Sequence, residues 1–235
     1  MRRRILSGLL LLFLLCPAMG RADVVYAGTV WPETMEIIDL GDTVVTDFDG
    51  FITFLEQFPG LRQVNMWETR MTAEQCHLLA GRFPAIRWGW TMVIRARDHE
   101  HLARTDMTAW STLHNNKSVK HGSEDFSVLR YCWNLMALDV GHNKVDSLDF
   151  LYDLPNLRVL IIACNAVTDL TPLASLRHLE YVELFNNRIT DITPLRELTC
   201  LMDLNLSFNR IGDLSPVENL KALLESEPLP PDRKS

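Results

Sequence analysis

Basic residues are scarce in this chain of 235 residues. It carries 23 lysines and arginines against 30 aspartates and glutamates, a net charge of -7 at pH 7. Nucleic acids and anionic membrane surfaces attract proteins with the opposite charge balance. The composition therefore argues against both classes of partner, and we expect no nucleic-acid binding.

Long apolar runs are also lacking. The longest, Ile5 to Leu15, spans 11 residues behind three arginines, whereas a membrane-spanning helix needs about 20. Small residues follow at Ala18-Met19-Gly20 and again at Gly20-Arg21-Ala22. This order is typical of a secretory signal peptide. We predict a signal peptide at residues 1–22, cleavage near Gly20 or Ala22, a secreted product and no membrane span.

Cysteine is sparse, with five in the chain. Cys16 lies in the predicted signal peptide behind Leu15, where a lipoprotein signal carries a small residue, so the sequence disfavours a lipid anchor there. The others show no CxxC and no metal-ligand spacing. We expect free thiols at Cys76, Cys132, Cys164 and Cys200.

Catalytic motifs are absent from the sequence. It contains no HExxH, GxSxG, P-loop or GxGxxG pattern. His99-Glu100-His101 is the one close pair of potential metal ligands, and a charged hairpin turn explains it better. We therefore predict no catalytic residues, no metal and no cofactor, and a protein that is not an enzyme.

A repeat of 22 residues is the strongest signal that is present. Asparagines recur at this spacing, at Asn143, Asn165, Asn187 and Asn209. Around each of them apolar residues recur in phase at the pattern L-x-x-L-x-L, which has the period of a strand with one buried face. The asparagine follows where the chain must turn, and its amide can pair with turn backbone. A stack of such asparagines, a structural ladder, would satisfy polar groups that are costly to bury alone.

Three of the four units then return through a Thr/Ser-Pro step, at Thr171-Pro172, Thr193-Pro194 and Ser215-Pro216. Proline at the first position of a helical turn costs little, and an aspartate just ahead is placed to cap the turn. These aspartates are interpreted as structural: Asp169, Asp191 and Asp213.

The segment Leu179–Leu198, LEYVELFNNRITDITPLREL, resembles the 22-residue leucine-rich repeat of the internalin type found in secreted and surface bacterial proteins. The resemblance covers repeats at residues 135–224. It implies an α/β fold, a right-handed solenoid with a parallel sheet on the concave side and short helical turns on the convex side. It implies much less about function, because such solenoids serve many partners.

Upstream the repeat frame is weaker. Strands are predicted over Met35–Leu40, Leu61–Met66 and from Ile86, with helices over Phe51–Phe58 and Thr72–Phe83. We interpret 23–90 as an irregular amino-terminal cap and 91–134 as a β-hairpin insertion and loop, exposed from Asn115 to Glu124. Residues 225–235 are predicted to be a disordered tail.

The outward-facing positions of the repeat strands combine apolar, aromatic and acidic residues. Those predicted to bind a partner are Asp139, Val159, Ile161, Tyr181, Glu183, Phe185, Asp203, Asn205 and Phe208. An exposed apolar-aromatic patch with an acidic rim is typical of an interaction site. We predict a monomeric, non-enzymatic module whose concave face binds a protein or peptide that is apolar with basic flanks.

Two other functions fit the sequence. The solenoid could serve as a structural or surface spacer. Alternatively, Trp88, Trp90 and Trp110 could form an aromatic platform for carbohydrate, although alternating tryptophans in a strand are more often packing residues. The tail or the hairpin could also fold over the concave patch and hide it.

Overall fold

The computed structural model describes residues 23–96, 99–112, 120–218 and 220. The predicted signal peptide and disordered tail lie outside these residues. Within the described part of the chain, no helix has the length and apolar character that crossing a bilayer requires.

Eleven strands and two α-helices form in the described residues, joined in the second half by 3₁₀ turns. The strands are β1 (Asp23–Tyr26), β2 (Thr29–Pro32), β3 (Ile37–Asp39), β4 (Gln63–Met71), β5 (Arg87–Ala96), β6 (His99–Arg104), β7 (Ala109–Ser111), β8 (Ala137–Asp139), β9 (Val159–Ile161), β10 (Tyr181–Glu183) and β11 (Asp203–Asn205). The helices are α1 (Phe48–Leu55) and α2 (Ala73–Arg82). The 3₁₀ segments are Ser123–Tyr131, Asp149–Leu151, Thr171–Ser175, Thr193–Leu195 and Ser215–Val217.

The 22-residue repeats build one parallel sheet in the order β11-β10-β9-β8-β7. Neighbouring strands β8 to β11 pair with no shift of frame, so Leu138 lies beside Leu160 and Val182 beside Leu204. The apolar frame residues of the first three repeats are buried, and Leu160, Leu170 and Leu179 are fully so, whereas Leu214 of the last repeat is 57% exposed. The predicted solenoid with a concave parallel sheet and short helical turns opposite is therefore confirmed.

The first half forms a second sheet in the order β3-β4-β5-β6. Strands β3, β4 and β5 are parallel, while β6 folds back antiparallel on the far half of β5, from Thr91 opposite Arg104 to Ala96 opposite His99. Helix α2 begins at the capping box that the sequence indicates, in which Thr72 and Gln75 exchange hydrogen bonds. The buried side chains of both halves make one continuous core.

The two halves are joined through Thr105, which is fully buried. Its hydroxyl donates to the Trp88 carbonyl at 2.8 Å, and its backbone N–H donates to the Trp90 carbonyl at 3.2 Å. The chain leaving the hairpin is thereby pinned to β5 before it enters β7. The hairpin therefore leaves the sheet along β5, and the chain returns to β5 at Thr105.

The antiparallel hairpin of β1 and β2 was not predicted. Tyr26 at its tip stacks on Phe54 of α1 with ring centroids 4.6 Å apart, and also contacts Phe51. Aromatic pairs of this kind contribute about 0.5–1.5 kcal/mol each beyond the burial of their apolar area. The hairpin therefore covers the apolar face of the first helix.

The expected exposed loop at Asn115–Glu124 is wrong at its carboxy-terminal end; residues 113–119 lie outside the described part. His121 is fully buried, and a 3₁₀ segment begins at Ser123. The reason is a period-three run of buried side chains, Phe126, Leu129 and Cys132, which pins this segment to the core. A polar composition alone did not indicate that anchor.

The four described cysteines are all free thiols, as expected. Cys76 and Cys132 are buried, and burial raises the pKa of Cys132 to about 12. A thiol with so high a pKa is almost entirely protonated at neutral pH and is unreactive.

Candidate ligand-binding face

A ladder of asparagine side chains fixes the turn after each repeat strand. The Asn187 amide donates to the carbonyls of Ile162 and Leu184 at 2.9 and 3.1 Å, and its oxygen accepts the N–H of Val167 at 3.1 Å. Equivalent bonds are made by Asn143, Asn165 and Asn209. Each asparagine thus bonds backbone of its own coil and of the coil before it. This holds the concave side chains in a fixed array.

The residue before each ladder asparagine has a left-handed backbone. The φ angles lie between 55° and 58° at His142, Cys164, Asn186 and Phe208. A left-handed conformation is costly for residues other than glycine and asparagine. The tight turn nevertheless recurs with four different side chains, because the ladder and the sheet determine its geometry.

The concave face consists of two side-chain columns that run across the five strands. Strand pairing aligns the first as Ala109, Ala137, Val159, Tyr181 and Asp203, and the second as Ser111, Asp139, Ile161, Glu183 and Asn205. Seven of the nine residues predicted from sequence lie in these columns. The other two, Phe185 and Phe208, lie two and three residues beyond the carboxy-terminal ends of β10 and β11.

An aromatic ridge occupies the later strands. Phe208 is 75% exposed, and its ring lies 5.0 Å from that of Phe185 in an edge-on arrangement. Val159, Ile161, Tyr181 and Phe185 are half-buried by their neighbours. Burial, followed by the nearby Glu183 and Asp203 carboxylates, raises the pKa of the Tyr181 hydroxyl. Tyr181 is therefore neutral at physiological pH and presents an apolar ring.

Two of the three concave carboxylates are held by hydrogen bonds. Asp139 Oδ1 accepts the N–H of Gly141 at 2.9 Å. Glu183 accepts the N–H of Phe185 at 3.1 Å and the side-chain amide of Asn205 at 3.2 Å. Asp203 is exposed. The negative charges of Asp139 and Glu183 therefore have fixed positions, unlike that of Asp203.

A shallow hollow of about 290 Å³ opens beside the ridge. Its walls are the small residues of β7 and β8, with Val159 and Ile161 on the far side; they include Ala109, Ser111, Ala137 and Asp139. The sequence prediction omitted Ala109, Ser111 and Ala137, because it selected large side chains and the hollow exists where these are missing.

The alternative of an aromatic platform for carbohydrate is contradicted, and the packing role that the alternating tryptophans favour is confirmed. Trp90 is fully buried and Trp88 and Trp110 are 6% exposed. Trp88 and Trp90 stack on each other with centroids 4.9 Å apart, and Trp110 donates its ring N–H to the Leu102 carbonyl at 3.0 Å. These indoles are core residues, so carbohydrate binding through them is not proposed.

The convex aspartates bond the turns that follow them. Asp169, Asp191 and Asp213 each accept a backbone N–H two residues on, at 2.8 to 2.9 Å. Hydrogen bonds from Thr171, Thr193 and Ser215 hold the pKa of these carboxyls below the usual value.

Within the ranges that the structure describes, no three His, Cys, Asp or Glu side chains gather as potential metal ligands. His101 instead packs near Trp110 and His121.

The pattern of strand, asparagine turn and proline-led 3₁₀ turn defines the class of the protein. The family model described as leucine-rich repeats in two copies matches residues 133–175, 155–197 and 177–221. Residues 133–221 are therefore leucine-rich repeats, and they form the solenoid part of the described structure. No curated protein sequence matches the chain.

Solved structures similar to the chain include bacterial and plant proteins. Internalin C2 from Listeria monocytogenes is 24% identical over 80% of this chain and 77% of that chain, with a TM-score of 0.41. A leucine-rich-repeat protein of Leptospira interrogans is 17% identical over 74% of this chain and 38% of that chain, with a TM-score of 0.38. The Arabidopsis receptor kinase HAESA, in complex with the peptide hormone IDA, is 20% identical over 72% of this chain and 22% of that chain, with a TM-score of 0.37.

Proposed function

We propose that the protein is a secreted, non-enzymatic interaction module that binds a protein or peptide on the concave face of its repeats. The supporting observation is the aromatic ridge of Tyr181, Phe185 and Phe208, which lies beside the hydrogen-bonded carboxylate of Glu183 and the exposed carboxylate of Asp203. Aromatic anchors surrounded by polar groups dominate the energy of many interfaces. The acids favour a partner that is apolar with basic flanks, because complementary charge steers association and excludes wrong partners.

Rigidity supports the same proposal. The concave residues lie on strands whose turns are bonded from coil to coil by the asparagine ladder. A face that is already ordered loses little conformational entropy when a ligand binds. The binding free energy from a few anchor residues is therefore not offset by a large entropy cost of ordering this face.

The test is capture of partners from bacterial and host surface extracts by the immobilised chain without residues 1–22. We compare it with the double variant Tyr181→Ala/Phe185→Ala and with Tyr152→Ala, which removes a half-exposed tyrosine on the convex side. We expect the same partner with the wild type and Tyr152→Ala, and its loss with the double variant. Circular dichroism must show all three proteins folded.

Equal capture by the double variant would contradict the proposed face. Unfolding of the double variant would show that these rings belong to the core, and that the strand register is wrong. Secretion is tested separately by amino-terminal sequencing of the protein from culture medium. A first residue near 21 or 23 is expected, and recovery of the intact amino terminus from cells alone would contradict it.

A further inference from the structure

The side chains of the first concave column increase in size from β7 to β10. The column begins with Ala109 and Ala137, continues with Val159 and reaches the ridge at Tyr181, and Asp203 of β11 follows. Because the strands are evenly spaced, the smaller side chains leave the surface lower over β7 and β8 than over β9 and β10. The hollow lies over β7 and β8, and Val159 and Ile161 of β9 form its higher side.

The volume of the hollow limits what it can receive. About 290 Å³ lies just below the range for small-ligand sites, roughly 300–1,000 Å³. Such a volume accommodates one large apolar side chain rather than a folded surface. Its shallow, open form matches a side chain that projects from an extended segment crossing the strands.

Charge at the hollow has one sign. The two columns together hold ten described residues, among which are the carboxylates of Asp139, Glu183 and Asp203 and no lysine or arginine. Asp139 lines the hollow itself. Its Oδ1 atom already accepts one backbone N–H, but an ionised carboxylate has about four acceptor positions. It can therefore also accept hydrogen bonds from a ligand cation.

Gly141 keeps the carboxylate at this position. A Cβ atom on Gly141 would lie 3.2 Å from Asp139 Oδ1 and 3.4 Å from the Ala163 carbonyl oxygen. Any larger residue would bring its Cβ atom into tight contact with the carboxylate, which would have to shift by a few tenths of an ångström. The acid is thus both oriented by the Gly141 N–H and given room by the missing side chain.

We propose that the hollow between β7 and β9 receives one large apolar side chain of an extended peptide, and that Asp139 binds a lysine or arginine adjacent to it. This inference rests on the proposed function and specifies its ligand: a peptide with neighbouring apolar and basic residues. The ridge of Tyr181 and Phe185 then contacts the continuation of the same segment.

The experiment is an NMR titration of the chain without residues 1–22, using three capped dipeptides as probes: acetyl-Phe-Lys-amide, acetyl-Phe-Glu-amide and acetyl-Gly-Lys-amide. We expect saturable shifts of the Ala109, Ala137 and Val159 amides with the Phe-Lys probe. Binding at least about tenfold weaker is expected for the other two probes, because each lacks one of the two recognised groups.

Two variants assign the contacts. Asp139→Asn keeps an oxygen for the Gly141 N–H and removes the charge, so the preference for Phe-Lys over Phe-Glu should fall at least about fivefold. Ala137→Leu fills the hollow and should abolish binding of the Phe-Lys probe. Asp149→Asn, which removes an exposed carboxylate from the convex side, should leave all three titrations unchanged.

Several results would overturn the proposal. They are equal affinity for the Phe-Lys and Phe-Glu probes, shifts that lie elsewhere, no saturable shifts at about 20 mM probe, or an unchanged titration with folded Ala137→Leu. The spectrum of each variant reports whether it is folded. Failure here together with loss of partner capture by the Tyr181/Phe185 variant would leave the concave face as the binding face and remove only the hollow. Dipeptide binding in the hollow without that loss would keep the hollow as a binding site and remove the ridge of Tyr181 and Phe185 from it.

Discussion

The side-chain oxygen of Asn187 accepts the backbone N–H of Val167 at 3.1 Å, across 20 residues of chain. The same amide donates to Ile162 and Leu184, so one side chain completes backbone hydrogen bonds in two coils. Asn187 is 7% exposed, and water cannot replace these bonds without opening the turn.

Replacement of Asn187 by alanine should therefore lower the free energy of unfolding by about 1–3 kcal/mol, the range for leaving buried polar backbone unpaired. Denaturant titration of the variant measures the loss. Asn134→Ala, at an exposed position ahead of β8, should change stability by less than about 0.5 kcal/mol. A loss of only a few tenths with Asn187→Ala would show that the ladder is not buried.

His142→Gly should stabilise the protein by up to about 1 kcal/mol. His142 has a φ of 58°, which costs a residue with a side chain roughly 1–2 kcal/mol, while the greater freedom of unfolded glycine returns part of that gain. Asn186→Gly is the matched control. Asparagine tolerates the left-handed region, so its gain should be smaller, and a larger gain at Asn186 would contradict the argument.

Gly89→Ala should destabilise the protein by about 1–3 kcal/mol, the usual cost of overpacking. The added Cβ would lie 2.5 Å from Asn65 Oδ1 and 2.6 Å from the Trp67 ring. The ring cannot retreat freely, because the Arg104 guanidinium lies 4.2 Å from its centroid. Thermal unfolding of the variant measures the cost.

The control for this substitution is Gly81→Ala in α2, where a Cβ meets nothing within 4 Å. There the helix should gain about 0.5–1 kcal/mol, since glycine is a poor residue in a helix interior. Equal effects of the two alanines would show that the contact of Trp67 with Gly89 is not fixed.

Acid should weaken the convex turns. The lowered pKa of Asp191 means that its contribution to stability is complete above the unfolded pKa, about 3.9, and is lost as the pH falls through the lower folded value. Asp191→Asn cannot titrate and should show a shallower loss of stability between about pH 4 and pH 2. Asp149→Asn serves as a charge control, and an identical pH profile for Asp191→Asn and wild type would refute the assignment.

The periodic half of the fold was predictable from sequence because period, side-chain size and turn residue coincide in every unit. Strand pairing without a shift between β8 and β11 follows from the constant 22-residue spacing. The hollow was not predictable in the same way. One side of the hollow is formed by β7, in which Ala109 pairs with Ala137, 28 residues further on rather than 22. The 22-residue spacing therefore could not place the β7 residues beside those of β8.

The missed elements had weaker signals. The β1–β2 hairpin turns on Ala27-Gly28, both with positive φ, and only the glycine hints at it in sequence. The 3₁₀ segment at Ser123–Tyr131 buries Phe126 and Leu129, three residues apart, a spacing too short to distinguish from a loop. The tryptophans were ambiguous for another reason, since an indole serves equally well in a core and on a binding surface.

The ladder also determines how such a chain can change in length. Because the bonds of each ladder asparagine reach only its own coil and the one before, an additional 22-residue unit between two others would find every required partner in place. It would widen the concave face by one strand spacing, about 4.8 Å, without altering the residues on either side. A gene encoding this chain can thus acquire a longer or shorter binding face by duplication or deletion of whole units, independently of the side chains that select the ligand.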